Sequence, residues 1–220
     1  MTGEYVLDDG GVNLLSSDAL RQLLKAINSF DGDQFVLRSA RPNIFAAGAD
    51  MAEMQRFSAR DACEFARLGQ EVFDTIERAP FLTIAEIDGD CFGGALDLIL
   101  AFDFRFATPR ARFAHPGARL GIVTGFGGTS RWRRVITRPA AHQLFLANRV
   151  IDAEEALSIG LVDTVSGAAA ASAAEFSRGP AAEAAAAPLL FLKQLAIHAG
   201  KLSRTELLLV ARRLGGIYLP

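Results

Sequence analysis

The chain has 220 residues, 50% of them hydrophobic and 22% charged, with a formal net charge of −2. That length and apolar content suit one sizeable packed domain, with or without a small appendage, and exclude overall disorder. Nearly cancelling charge without a long basic run argues against a nucleic-acid partner, and no run of about 18 apolar residues is present to span a membrane.

Residues 1–12 are short and polar, with 5–7 as a candidate edge strand. Ser17 or Asp18 stands where a cap belongs for a helix over 19–30, whose Leu20, Leu23, Leu24 and Ile27 form one apolar stripe. Residues 34–40 read as a strand, followed by a loop over 41–51 whose small residues fit close backbone packing better than a regular element. The period over 59–78 predicts a long amphipathic helix with Phe65, Leu68, Val72, Phe73 and Ile76 turned inward.

The rest of the chain is organised around residues 87–98. An apolar run over 81–87 reads as a buried strand, 88–94 as a glycine-rich turn, and 95–102 as a buried helix with Asp97 in its first turn. Such a turn aims the unpaired N–H groups of a helix start at whatever approaches, and Gly93 and Gly94 present no Cβ. On these residues alone a plain tight turn is an equal reading, since an acid in a first turn also complements the helix dipole.

Strands are then expected at 102–108 and 112–115, a glycine-rich stretch at 121–128, and short helices at 129–136, 139–148 and 152–159. A last strand covers 161–165. The alanine-rich tract 168–187 reads as a surface helix, Pro180 and Pro188 fit helix starts, and a final helix runs over about 203–214. Alternating strands and helices give an α/β core over 1–165 and a helical segment over 166–220.

Several chemistries lack their residues. Gly89, Gly93 and Gly94 have the wrong spacing for a dinucleotide fingerprint, and there is neither a phosphate loop nor a G-x-S-x-G elbow. His115, His142 and His198 stand far apart, so no helical zinc pair exists and no metal is expected. Cys63 and Cys91 lie in apolar contexts expected to be buried, with neither metal spacing nor a disulfide framework. Residues 1–4 lack a basic-then-apolar signal pattern, and the expected location is the cytoplasm.

Four ordered segments carry a resemblance. Residues 44–54 (IFAAGADMAEM), 87–98 (IDGDCFGGALDL), 120–129 (LGIVTGFGGT), and 151–156 (IDAEEA) with 160–163 (GLVD) resemble the successive motifs of the crotonase family, the enoyl-CoA hydratases and isomerases. The resemblance implies a superhelix of ββα units with a C-terminal helical segment that covers the site and assembles subunits as trimers or hexamers. It implies an acyl-CoA thioester substrate, with coenzyme A entering as part of that substrate and no other cofactor. Two backbone amides would hold the thioester oxygen as an enolate forms, and they map to Ala49 and Gly94. Ala47, Ala49, Asp50, Met51 and Gly94 would contact substrate and CoA, Asp50 also being placed to cap the helix that follows it.

This chain departs from the family pattern at its acids. The first of two hydratase glutamates maps to Asp97 and the second to Gly117, which carries no acid–base group. Asp97 is then the candidate proton carrier, and His115, two residues before Gly117, is a second candidate because a histidine side chain can serve as acid or base. Thr124 stands where relatives carry proline and is a candidate water ligand. Ala52 stands where many relatives place a CoA-facing lysine, for which Arg41, Arg56 or Arg60 would have to substitute. Against the pattern the resemblance implies, the segments before Asn13 and at Pro220 are expected to be shorter than relatives usually carry. The expectation is an acyl-CoA-processing enzyme with atypical acid–base residues. The alternatives are a non-catalytic acyl-CoA-binding or scaffold subunit and an unrelated nucleotide binder.

Overall fold

The computed structural model describes residues 2–167 and Lys193. The expected helices over 168–187 and 203–214, and nearly all of the segment 166–220, lie outside the described residues. Strand β1 (Thr2–Leu7) and the two-residue β2 (Leu14–Leu15) precede helix α1 (Ser17–Asn28). Strands β3 (Gln34–Ser39), β4 (Asn43–Ala46) and β5 (Gly48–Ala49) lead into α2 (Met51–Met54) and α3 (Ala59–Arg78). Next come β6 (Leu82–Ile87), β7 (Gly89–Phe92), α4 (Gly94–Ile99), β8 (Phe104–Ala107) and β9 (Arg112–Ala114). The described chain closes with α5 (Gly128–Arg131), α6 (Arg138–Ala141), β10 (Ile151–Asp152), α7 (Ala153–Ser158) and β11 (Thr164–Val165).

Three successive units repeat one path. β3, β6 and β8 enter a parallel five-stranded sheet ordered β1-β3-β6-β8-β11, while β4, β7 and β9 enter a second sheet ordered β10-β9-β7-β4. The second sheet is parallel except where β10 runs against β9. β2 and β5 pair separately, joining Leu14 to Gly48 and Leu15 to Ala49. Every residue of β6 is buried, as befits a central parallel strand covered on both faces.

The main core lies between the sheets and the helices. It gathers Leu20, Leu23 and Ile27 of α1, Phe65, Val72, Phe73 and Ile76 of α3, and Leu37, Ala85 and Ile87 of the large sheet. The stripe expected over 59–78 is therefore the buried face of α3. This helix is capped at its start by Ser58, which accepts from the Asp61 amide while Asp61 accepts from the Ser58 amide. Among the described residues no helix is long and apolar enough to cross a membrane.

Several expectations are corrected. The loop over 41–51 contains two short strands and the first residue of α2, and the turn over 88–94 is mostly β7. The cap of α1 is Ser16, whose hydroxyl accepts from the Ala19 amide. The helix over 129–136 is only α5 followed by the tight turn Trp132–Arg134. Only Thr164 and Val165 of the strand over 161–165 pair with β8, because the Leu161 amide turns back to the Ala156 carbonyl. Cys63 is exposed, whereas Cys91 is buried.

Candidate active site

Two loops meet at the centre of the molecule. The first is the turn around Gly48, held by β2 on one side and by the Ala47 amide, which donates to Val12 O just ahead of β2. The second follows β7, whose pairing with β4 and β9 fixes its end; the Gly93 amide donates to Ala114 O at 2.9 Å, and α4 starts at Gly94. Gly48 has φ +98°, and a Cβ there would lie 2.7 Å from Phe92 O and 2.9 Å from Gly94 N. A Cβ on Gly94 would in turn lie 3.4 Å from Ala49 N. The main chains at Ala49 and Gly94 are therefore side by side, and only glycine permits that approach.

They open on a cavity of about 320 Å³ whose walls include Ala47, Ala49, Met51, Gly94, His115, Thr124 and Phe126. Apolar side chains from α2, α3 and the segment between them, among them Met54, Phe57, Phe65 and Ala66, complete the wall. Asp50 is placed differently. Its carboxylate caps α2, accepting from Ala52 and Glu53 amides at 2.9 and 3.0 Å. It borders a larger polar depression of about 540 Å³ shared with Arg21, Glu53, Arg56 and Asp61. That depression contains neither Ala49 nor Gly94. Of the arginines considered for the CoA phosphates, Arg56 reaches this depression, while Arg41 pairs with Asp8 and Arg60 with Glu64.

Asp97 is fully buried and lies behind the cavity wall. The Thr124 hydroxyl donates to its Oδ2, and His115 Nε2 lies 3.4 Å from the same oxygen. Thr124 and His115 both line the cavity, so they stand between Asp97 and any occupant. Among the described residues Asp97 Oδ1 has no hydrogen-bond partner. It fits because residue 128 is glycine; a Cβ there would lie 1.6 Å from Oδ1. His115 is 5% exposed, and its ring packs against Phe145 with centroids 4.8 Å apart and planes tilted by 31°. Beside Asp97, burial and then the charges of Asp97 and Asp90 push the Cys91 thiol well above its usual range, so it is no nucleophile.

Gly117 is crowded. A Cβ there would lie 2.9 Å from Ile122 O and 3.0 Å from His115 Cε1. The space a longer side chain would need is taken by the histidine ring and the turn that follows. Of the sequence-derived candidates, Ala47, Ala49, Met51, Gly94 and His115 meet at one cavity, Asp97 is joined to it through its neighbours, and Asp50 faces away. Sequence reasoning missed the Thr124–Asp97 bond and the Phe145 contact. A threonine replacing a proline was the one available signal for the first, and nothing announced the second. Among the described residues no group of three or more histidines, cysteines and acids is placed to hold a metal ion.

Repeated ββα units around a cavity edged by two adjacent loop amides define a crotonase-type α/β chain. The chain belongs to the enoyl-CoA hydratase/isomerase family, whose model matches residues 6–206. It is 38% identical over 165 residues to a crotonyl-CoA hydratase of Syntrophomonas wolfei, covering 73% of this chain and 64% of that one. It is 36% identical over 158 residues to a short-chain-enoyl-CoA hydratase of Clostridium acetobutylicum, covering 70% and 60%. These matches span less than two thirds of either curated relative. Similar solved structures include DspI of Pseudomonas aeruginosa, with TM-score 0.85, 28% identity and coverage of 96% and 83%. Another is an enoyl-CoA hydratase of Bacillus anthracis, with TM-score 0.84, 26% identity and coverage of 97% and 85%.

Proposed function

We propose that the protein is an acyl-CoA-processing enzyme that stabilises a thioester enolate between the amides of Ala49 and Gly94. The observation that carries this reading is the adjacency of those two main chains on the wall of a largely apolar cavity. A carbonyl oxygen seated there gains negative charge as a proton leaves or joins the neighbouring carbon, and preorganised donors are strongest for that state. Each such donor is typically worth about 3 kcal/mol in a water-excluded site. Ala47 and Met51 line the path of the pantetheine, and Asp50 shapes the loop by capping α2.

The proton moves through Thr124 to Asp97. Because Thr124 gives its hydrogen to Asp97 Oδ2, its lone pairs remain for a water or substrate donor in the cavity. A proton delivered to the Thr124 oxygen is compensated by transfer of the hydroxyl proton to Asp97. His115 faces the same carboxylate oxygen and holds it in place. With no carboxylate at residue 117, the two-glutamate addition of water is not supported. Single-acid reactions on an enolate fit better: double-bond isomerisation, decarboxylation, retro-Claisen cleavage, or hydration of an atypical substrate. The same reading includes a homo-oligomer, a trimer or hexamer, working in the cytoplasm, for which the two free cysteines are a modest support.

The crowded Gly117 favours one other reading, a subunit that binds acyl-CoA without turning it over. One experiment separates the two. Saturated, enoyl and 3-oxoacyl-CoA thioesters are screened for thermal stabilisation and then for turnover, with the wild type and Asp97→Asn. Enzymatic function predicts turnover of at least one thioester, reduced about 10²- to 10⁴-fold in the variant with binding retained. Binding without turnover in either form supports the non-catalytic subunit. If no thioester raises the melting temperature, both readings fail.

A further inference from the structure

We infer that Phe126 is the specificity-determining residue that closes the inner end of the cavity and restricts its occupants to short acyl chains. The inference rests on the acyl-thioester reading above and adds the class of acyl group to it.

The ring occupies a slot that two helices leave open. On one side is Gly94, where a Cβ would lie 3.1 Å from Phe126 Cε2 and 3.2 Å from Cδ2. On the other is Gly69 in the middle of α3, where a Cβ would lie 2.1 Å from Cδ1. Both helices therefore carry glycine at the point of contact, and the ring fills the space between them. Phe65 and Phe73 meet it edge-on at 5.1 and 5.5 Å, and the residue is 5% exposed.

The main chain is pinned on both sides of that ring. The Phe126 amide lies 3.3 Å from Thr124 Oγ1, to which it donates, and its carbonyl accepts from Arg131 Nη1 at 2.9 Å. Arg131 is itself buried and held by Asp74 and Glu77 of α3. The ring thus has little freedom to swing aside. An acyl chain whose carbonyl sits at Gly94 and that extends toward α3 meets the ring at once, at its Cε2–Cδ2 edge. Among the described residues the ring is backed by the fully buried Phe73. Removing ring atoms extends the cavity toward Phe73, whereas a methyl on Gly69 drives the ring toward Gly94 and shortens it.

Titration calorimetry with acetyl-, butyryl-, hexanoyl- and octanoyl-CoA tests this on the full chain. The variants are Phe126→Ala, Phe126→Leu, which keeps most of the packing volume, and Gly69→Ala. One methylene admitted to or rejected from a hydrophobic pocket changes selectivity by about 10- to 200-fold. The wild type is expected to bind the short thioesters and lose affinity with length. Both Phe126 variants are expected to raise the octanoyl-to-butyryl affinity ratio by at least about 10-fold, and Gly69→Ala to lower it. An unchanged ratio in a folded Phe126→Leu or Phe126→Ala protein overturns the inference while leaving the acyl-CoA reading standing. A wild type that binds none of the four defeats that parent reading instead.

Discussion

Asp97 is fully buried, one carboxyl oxygen shared by Thr124 and His115 and the other without a hydrogen-bond partner among the described residues. Burying a charge or a carboxyl hydrogen in this way is costly unless its neighbours are fixed around it. Gly128 is the residue that makes room. Adding a single methyl there puts an atom on top of Oδ1, at 1.6 Å, so either the carboxylate or α5 has to move. Gly128→Ala is therefore expected to lower stability by about 1–3 kcal/mol, as overpacking does. Turnover is expected to fall with it, because the carboxylate leaves the Thr124 hydroxyl. Calorimetric melting and steady-state kinetics on the same preparation check both. A variant with unchanged melting temperature and rate would show that the Asp97 position is neither crowded nor used.

At the scale of elements, the site exists because β5 and the start of α4 touch through Gly48. This residue adopts φ +98°, and its missing side chain is replaced by the carbonyl of Phe92 and the amide of Gly94. Gly48→Ala combines a left-handed backbone with a collision against main-chain atoms that cannot rotate away. The backbone strain alone costs about 1–3 kcal/mol. At about 2–4 °C per kcal/mol for a chain of this size, melting should drop by several degrees. Acyl-CoA binding should fall too, and melting with and without a thioester measures both. Retained binding at a normal melting temperature would disprove the contact. This part of the site was legible in the sequence, since the order and spacing of the glycine motifs named the two loops that meet. The long helix α3 was equally legible because twenty residues carry a full period. The short strands β4, β5 and β7 were not. Two to four residues hold no periodic signal, and Gly89 reads as a turn although it serves close strand approach, its Cβ position lying 1.9 Å from the Asn43 carbonyl carbon. Cys63 misled for a related reason: apolar neighbours in sequence lie on other faces of a helix that turns about 3.6 residues per turn.

For the molecule as a whole, the five-stranded sheet carries one charged group where its stability should respond to pH. Glu86 lies on β6 beside Ile84, on the sheet face opposite the main core, where Val36, Ile84 and Phe106 form a small apolar cluster. Its register partner on β3 is Arg38, which is bonded to Glu4 of β1 at 2.9 Å. Burial, and then the negative charge of Glu4, raise the Glu86 carboxyl from 4.5 to about 7, against the smaller opposing pull of Arg38. Between those two values the folded chain keeps a proton on Glu86 that the unfolded chain has released. The folded state then binds more protons, so its stability falls as pH rises through this window and levels off above about 7. Glu86→Gln keeps the shape of the side chain and removes the titration. The variant should match the wild type near pH 4.5 and exceed it increasingly up to about pH 7, with a constant margin beyond. Urea denaturation of both proteins across that range measures the difference directly. A margin that does not change with pH would mean that Glu86 is solvated in the folded chain and that this sheet face is open to water.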